Sequence, residues 1–145
     1  MAFLRYPVYY KDFKCKGGDC TDTCCQKWEI DIDEKTAERY KKEKSPIGEK
    51  IRSAMGENDD GRYIKLNSKG LCPLLAENGL CSIILEKGED FLCDICRLHP
   101  RYFGWYSCWK EAGVGLCCEA AARLILTKKE KTALVVTGEG TLDEE

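Results

Sequence analysis

The chain has 145 residues, 43% of them hydrophobic, and its 23 basic and 25 acidic side chains leave a formal charge of −2. This is one ordinary domain's worth of sequence with enough apolar material for a core. The charge balance argues against a dedicated DNA- or RNA-binding protein, and no run approaches the roughly 18–20 apolar residues of a membrane span.

In chain order, residues 1–14 mix aromatics with Pro7 and are expected to run extended into the first cysteines. Asp33 is placed to cap a helix reaching about Lys44, since Ala37, Tyr40 and Lys41 follow at helical spacing. Ser45-Pro46 restarts a second helix, with Ser45 as cap and Pro46 in the first turn, and Gly56 is placed to end it. Glu57 to Gly61 is a turn cluster, and Arg62 to Leu66 alternates like a strand. Asn78-Gly79 has hairpin-turn chemistry. Glu89 to Leu98 reads as a helix that must stop near Pro100, and Tyr102 to Tyr106 as an extended aromatic stretch. The Ala- and Leu-rich segment Glu119 to Leu126 predicts the last helix. No repeat or low-complexity segment occurs. The expected fold is a helix-leaning α+β protein: one small cysteine-rich domain over 1–137, organised around a metal centre, then an acidic flexible tail over 138–145.

Eleven cysteines dominate the composition. An odd number cannot pair completely within one chain, and the N-terminus shows neither an apolar signal segment nor a small-residue cleavage site. A cytoplasmic protein with metal-binding thiols is therefore expected ahead of a secreted disulfide scaffold. Cys15, Cys20, Cys24 and Cys25 follow C-x4-C-x3-C-C spacing, with Gly17 and Gly18 letting the backbone wrap closely. Thiolates in such numbers suit tetrahedral zinc or the corners of an iron–sulfur cluster. Neighbouring side chains diverge, so vicinal Cys24-Cys25 suit two centres or a multinuclear one; the bland alternative is a pair of buried thiols. Cys72 and Cys81 sit in two Gly-Leu-Cys units flanking a turn, which brings their sulfurs together. Cys93-x2-Cys96 adds a metal half-site, and Cys117-Cys118 lie at the start of the last helix, where a thiolate is stabilised. Cys108, among aromatics, reads as a core residue, and His99 as a packing or capping residue ahead of a ligand. The G-x-G fragments at 113–115 and 138–140 lack the context of a phosphate loop, and the Lys-rich stretch 41–44 reads as a solvated helix face.

Pro7, Tyr9, Phe13, Cys15, Gly17, Cys20, Thr23-Cys24-Cys25, Trp28, Ile30 and Asp33 together resemble the opening of the flagellin lysine-N-methylase family. That family is related to the cysteine-cluster proteins described as zinc- or iron-chelating domains. The resemblance continues through Gly70-Leu71-Cys72-Pro73, Gly79-Leu80-Cys81-Ser82-Ile83, Cys96-Arg97, Pro100-Arg101 and Cys118 with Ala122-Arg123-Leu124, covering about residues 7–126. It picks out Cys15, Cys20, Cys24, Cys25, Cys72, Cys81, Cys96 and Cys118 as metal ligands, and leaves Cys93, Cys108 and Cys117 as extras. Lys27 stands where relatives often have glycine, and His99 where they often have tyrosine.

The resemblance implies an iron–sulfur cluster of the 4Fe–4S kind, with zinc as the alternative. It also implies S-adenosylmethionine as methyl donor and a protein lysine, of flagellin, as acceptor; no nucleic acid or membrane partner is expected. Full-length relatives continue well beyond the cysteine-rich region. A second expectation therefore stands beside the enzyme: a metal-cluster module for partner binding or electron transfer, without the methyl-transfer part. A tyrosine cage of Tyr9, Tyr10, Tyr102 and Tyr106 is conceivable for the lysine, and the x3-then-x2 cysteine spacing of radical S-adenosylmethionine chemistry is absent.

Overall fold

A computed structural model describes residues 3–106 and 109–138. Cys108 and residues 139–145 of the expected acidic tail lie outside the described residues. The elements are β1 (Phe3–Pro7), β2 (Asp31–Ile32), α1 (Glu34–Lys42), α2 (Pro46–Ala54), β3 (Met55–Asn58) and β4 (Gly61–Ile64), then α3 (Ser82–Lys87), α4 (Asp94–Leu98), β5 (Arg101–Tyr106), β6 (Trp109–Val114), α5 (Glu119–Leu126) and β7 (Leu134–Thr137). The fold is mixed α+β, with more strand than the sequence pattern gave. No described helix is long and apolar enough to cross a membrane. The chain divides into two compact units, Gly17–Leu98 and the pair of segments Met1–Lys16 and His99–Glu145.

In the unit formed by the two ends of the chain, a four-stranded sheet runs in the order β5-β6-β1-β7. β1 pairs in parallel with β6 (Arg5 opposite Glu111) and antiparallel with β7 (Arg5 opposite Val136). The expected extended aromatic stretch is β5, and α5 has the bounds that its composition predicts. A small core of Phe13, Val114 and Ala121 gathers Tyr9, Tyr10, Cys118, Leu124 and Ile125 around it. Arg101 lies over the Phe13 ring at 5.0 Å, so its charge covers the aromatic edge of this core.

The 17–98 unit carries the larger core. Ile30, Ile32, Ala37, Tyr40, Ile47, Ile51, Ala54, Ile64, Leu74, Ile83 and Leu92 are buried in it together with Cys72 and Cys93. α1 begins where Asp33 predicts: its carboxylate accepts the Thr36 N–H at 2.9 Å. At the other end of α1, Arg52 of α2 donates to the Tyr40 carbonyl at 3.0 Å and to the Glu43 carbonyl, satisfying groups that a helix end leaves open.

Three expectations are corrected here. Ser45 precedes α2 with Pro46 in the first turn, but its hydroxyl makes no capping bond; its N–H donates to Glu43 Oε1 at 3.0 Å instead. Gly56 does not end α2. It lies in β3, opposite Tyr63 of β4, because the turn at 59–60 folds both flanking segments into a hairpin that β2 extends to three strands. The single helix expected over 89–98 is broken into a 3-10 turn (Glu89–Phe91) and α4, since Leu92 and Cys93 turn inward to the core between them.

Candidate metal centre

Cys25, Cys72, Cys81 and Cys96 come from separate stretches of the 17–98 unit, and local pairing rather than one regular element delivers them. Residues 25–27 lie antiparallel to 70–72: Cys72 N–H donates to the Cys25 carbonyl and Lys27 N–H to the Gly70 carbonyl, both at 2.8 Å. Cys25 and Cys72 are thereby set side by side. The chain then turns through Asn78-Gly79, with Ala76 N–H donating to the Leu80 carbonyl at 2.8 Å and Leu75 bridging to Cys81. The expected hairpin between the two Gly-Leu-Cys units is thus present as a tight loop with a single bridge rather than as two strands.

Gly17, at φ +59°, and Gly18 pack against this loop. A Cβ on Gly18 would lie 2.7 Å from the Asn78 carbonyl oxygen, so the close wrapping expected of the two glycines is made against protein backbone. α4 arrives through Asp33, whose second carboxylate oxygen accepts the Asp94 N–H at 2.9 Å. Tyr40 donates its hydroxyl to the Phe91 carbonyl at 2.9 Å just before Cys93.

The result is one sulfur-rich region. Cys72 and Cys93 are 8% and 3% exposed, and Cys25, Cys81 and Cys96 pack against the same core. Cys24 and Cys25 share an S–H···S hydrogen bond that pushes the Cys24 thiol up and draws Cys25 down despite its burial. Cys25 adjoins Cys81 and Cys72 closely enough for each charge to raise it. Burial pushes Cys72 up, with Cys81 and Cys93 adding to the shift. Cys96 is raised by its hydrogen bond to Cys93, by burial, and by the neighbouring Cys93, Cys25 and Cys81. The same bond lowers Cys93.

Hydrogen bonds between neighbouring thiols are the largest cause for Cys24, Cys25, Cys93 and Cys96, and burial for Cys72; repulsion between nearby thiolates adds to the upward shifts. Among the described residues no group of three or more Cys, His, Asp or Glu side chains stands arranged to hold a metal ion. Two pairs, Cys24–Cys25 and Cys93–Cys96, are hydrogen-bonded through their sulfurs.

The remaining sequence-selected cysteines lie elsewhere. Cys24 is exposed at the rim of the region. Cys20 lines a surface hollow of about 260 Å³ with Gly17, Gly18, Thr21 and Glu77. Cys15 and Cys118 belong to the other unit. Cys15 is exposed, Cys118 is half-buried at the N-cap of α5, and their neighbours Lys16 and Glu119 form an ion pair at 2.6 Å. Cys117 is exposed just before α5. Cys93 is the residue that the ligand set omitted and the fold brings in; its C-x2-C spacing with Cys96 was the available signal. His99 is half-buried, and burial draws its imidazole pKa down.

Against known proteins, the chain is 29% identical over 134 residues to the flagellar biosynthetic protein FliU of Salmonella muenchen, covering 88% of this chain and 79% of that protein. It is equally similar, at 29% over the same share of this chain, to proteins named lysine-N-methylase from Salmonella choleraesuis and Salmonella typhimurium, of which the match spans 33%. The resemblance carried by the cysteine motifs therefore holds across most of the chain. The chain spans about a third of the length of these lysine-N-methylases. No protein-family model matches the chain, and no solved structure matches it either.

Proposed function

We propose that this chain is a metal-binding part of the apparatus for N-methylation of protein lysines, acting with S-adenosylmethionine on a flagellar protein. Cys25, Cys72, Cys81 and Cys96 would hold the metal, an iron–sulfur cluster in the first instance and zinc as the alternative. One observation carries the reading: four thiols from separate stretches, Cys25, Cys72, Cys81 and Cys96, pack on one core, near enough for their charges to influence one another. Four thiolates match a tetrahedral ion or the corners of a cubane cluster, and all four belong to the set implied by the resemblance.

When bound, such a centre supplies folding energy and, if it contains iron, a site for one electron. The chain's own residues hold the ligands in place. The 25–27 and 70–72 pairing aligns Cys25 with Cys72, the loop over 74–82 returns Cys81, and Asp33 fixes the start of α4. The substrate class comes from the similarity to proteins named lysine-N-methylase. A second reading, a module without methyl transfer, draws on the match to FliU, of which the chain covers 79% against a third of the methylases.

Anaerobic purification with metal and sulfide analysis tests the centre. Thiolate-to-iron absorption in the visible is expected for the cluster, a colourless zinc protein for the alternative, and a metal-free protein whose sulfurs are oxidised in pairs would overturn both. Calorimetric titration with S-adenosylmethionine separates the enzyme from the module: heat of binding favours the first, and none at millimolar ligand favours the second.

A further inference from the structure

Apart from its thiols, the 17–98 unit has an open hollow of about 400 Å³ lined by Lys27, Trp28, Glu29, Tyr63, Ile64 and Leu66. Ile64 belongs to the buried core, and Trp28 and Leu66 pack half-buried against it. Trp28 is anchored, since its indole N–H donates to the Cys24 carbonyl. The Tyr63 ring lies over Gly56, where a Cβ would stand 2.6 Å from Cζ, so the ring takes space that only a glycine leaves. Two exposed carboxylates accompany the rings. Glu29 lines the hollow, and Asp31 stands directly opposite Tyr63 across the β2–β4 pair, on the same side of the sheet. Arg62, the neighbour of Tyr63 in β4, pairs instead with Glu38 at 3.5 Å and Glu57 at 3.8 Å. Lys27 brings one positive charge to the rim, with its stem packed over Gly70.

We propose that this hollow seats a lysine side chain of a partner protein, its ammonium held by the rings of Trp28 and Tyr63 and by the carboxylates of Glu29 and Asp31. An alkylammonium is drawn to the face of an aromatic ring, tryptophan above all, and to a carboxylate. Its four-carbon stem needs an apolar wall, which Leu66 and the rings supply. A neutral side chain would leave both carboxylates unused, and an anionic one would be repelled by them. The choice of lysine over arginine rests on the methylation reading above; the cation seat itself does not. On that reading the hollow holds the acceptor lysine beside the segment that carries Cys24 and Cys25, to which Trp28 is bonded.

The test is a proton–nitrogen NMR titration of the reduced full chain with Nα-acetyl-lysine methylamide, up to tens of millimolar. The Trp28 indole signal is identified by its loss in Trp28→Phe. Saturable shifts are expected at that indole and at the amides of 27–29 and 63–66. The neutral norleucine analogue is expected to bind about 5-fold more weakly. Glu29→Gln combined with Asp31→Asn, both at exposed positions, is expected to weaken lysine binding about 3–5-fold. Tyr63→Phe is expected to bind as wild type does, and Tyr63→Leu about 5-fold more weakly with an unchanged far-UV circular dichroism spectrum. The seat is overturned if no shift saturates at these residues, if norleucine binds as well as lysine, or if the Glu29→Gln, Asp31→Asn protein matches wild type. Tighter binding of the arginine analogue overturns the assignment to lysine. S-adenosylmethionine titrated alone keeps the two readings apart. Lysine binding without it supports the seat and removes its part in methyl transfer, whereas its binding without lysine overturns the seat and leaves the proposed function standing.

Discussion

Lys27 holds φ at +58°, the left-handed region that a side chain with a Cβ adopts at a cost of about 1–2 kcal/mol. Its N–H is committed to the Gly70 carbonyl in the pairing that aligns Cys25 with Cys72, so the geometry is imposed by the neighbouring segment. A glycine would take this backbone conformation without that cost. Lys27→Gly is expected to stabilise the apo protein by about 0.5–1 kcal/mol, after the greater freedom of glycine in the unfolded chain is subtracted, seen as a higher urea midpoint. Asp33 does double duty, accepting N–H groups from Thr36 and Asp94 with its two oxygens. Burial pushes its carboxyl up, but these hydrogen bonds outweigh it and hold the group below the ordinary 3.8. Its contribution is therefore fully present above about pH 4 and lost as pH falls through the lower folded value. Asp33→Ala is expected to cost about 2 kcal/mol at neutral pH, one N-cap for each helix start, and to flatten the acid limb of a stability–pH curve below pH 4.

Two glycines in different elements meet their neighbours in contrasting ways. A Cβ on Gly48 of α2 would stand 2.5 Å from the Glu43 carbonyl oxygen, a backbone atom at the end of α1 that Arg52 also holds. A Cβ on Gly113 of β6 would strike the Tyr102 ring, the far end of a side chain that is 59% exposed. Thermal or urea unfolding is expected to show a loss of about 1–3 kcal/mol for Gly48→Ala, where backbone must shift, and under about 1 kcal/mol for Gly113→Ala, where the ring swings away. Equal losses would mean that the α1–α2 contact yields more readily than its geometry indicates. The predicted 89–98 helix is broken for a reason that also lies between elements. Helical spacing across that stretch is genuine, but the cap for α4 comes from a carboxylate 61 residues earlier, and a window along the sequence does not contain it.

For the molecule as a whole, metal held by the four proposed ligands is expected to act on one unit. The four proposed ligands all lie in Gly17–Leu98, and the other unit has its own sheet and its own small core. Hydrogen–deuterium exchange of the full chain, with and without Co(II) or zinc, is expected to show new protection around 24–28, 70–82 and 92–98. Exchange in β1, β5, β6 and β7 should stay unchanged. Removal of metal with a chelator under reducing conditions is expected to lower the Tm of the 17–98 unit selectively, since metal that binds only the folded state adds its binding energy to stability. Equal protection throughout would place ligands in both units and return Cys15 and Cys118 to the set.

Local chemistry was enough to read the Asp33 cap, the restart of α2 at Pro46, the bounds of α5 and the likeness to lysine-N-methylases, because each is written within a few residues or as an ordered series of motifs. The thiol richness was equally plain. What only the tertiary structure decided is which sulfurs are neighbours. Cys93 enters the core because Leu92 and Cys93 turn inward ahead of α4, and β1 finds β6 as a parallel partner more than a hundred residues away. Such choices depend on how buried surface and backbone hydrogen bonds are shared between distant segments, and spacing along a chain carries no record of that.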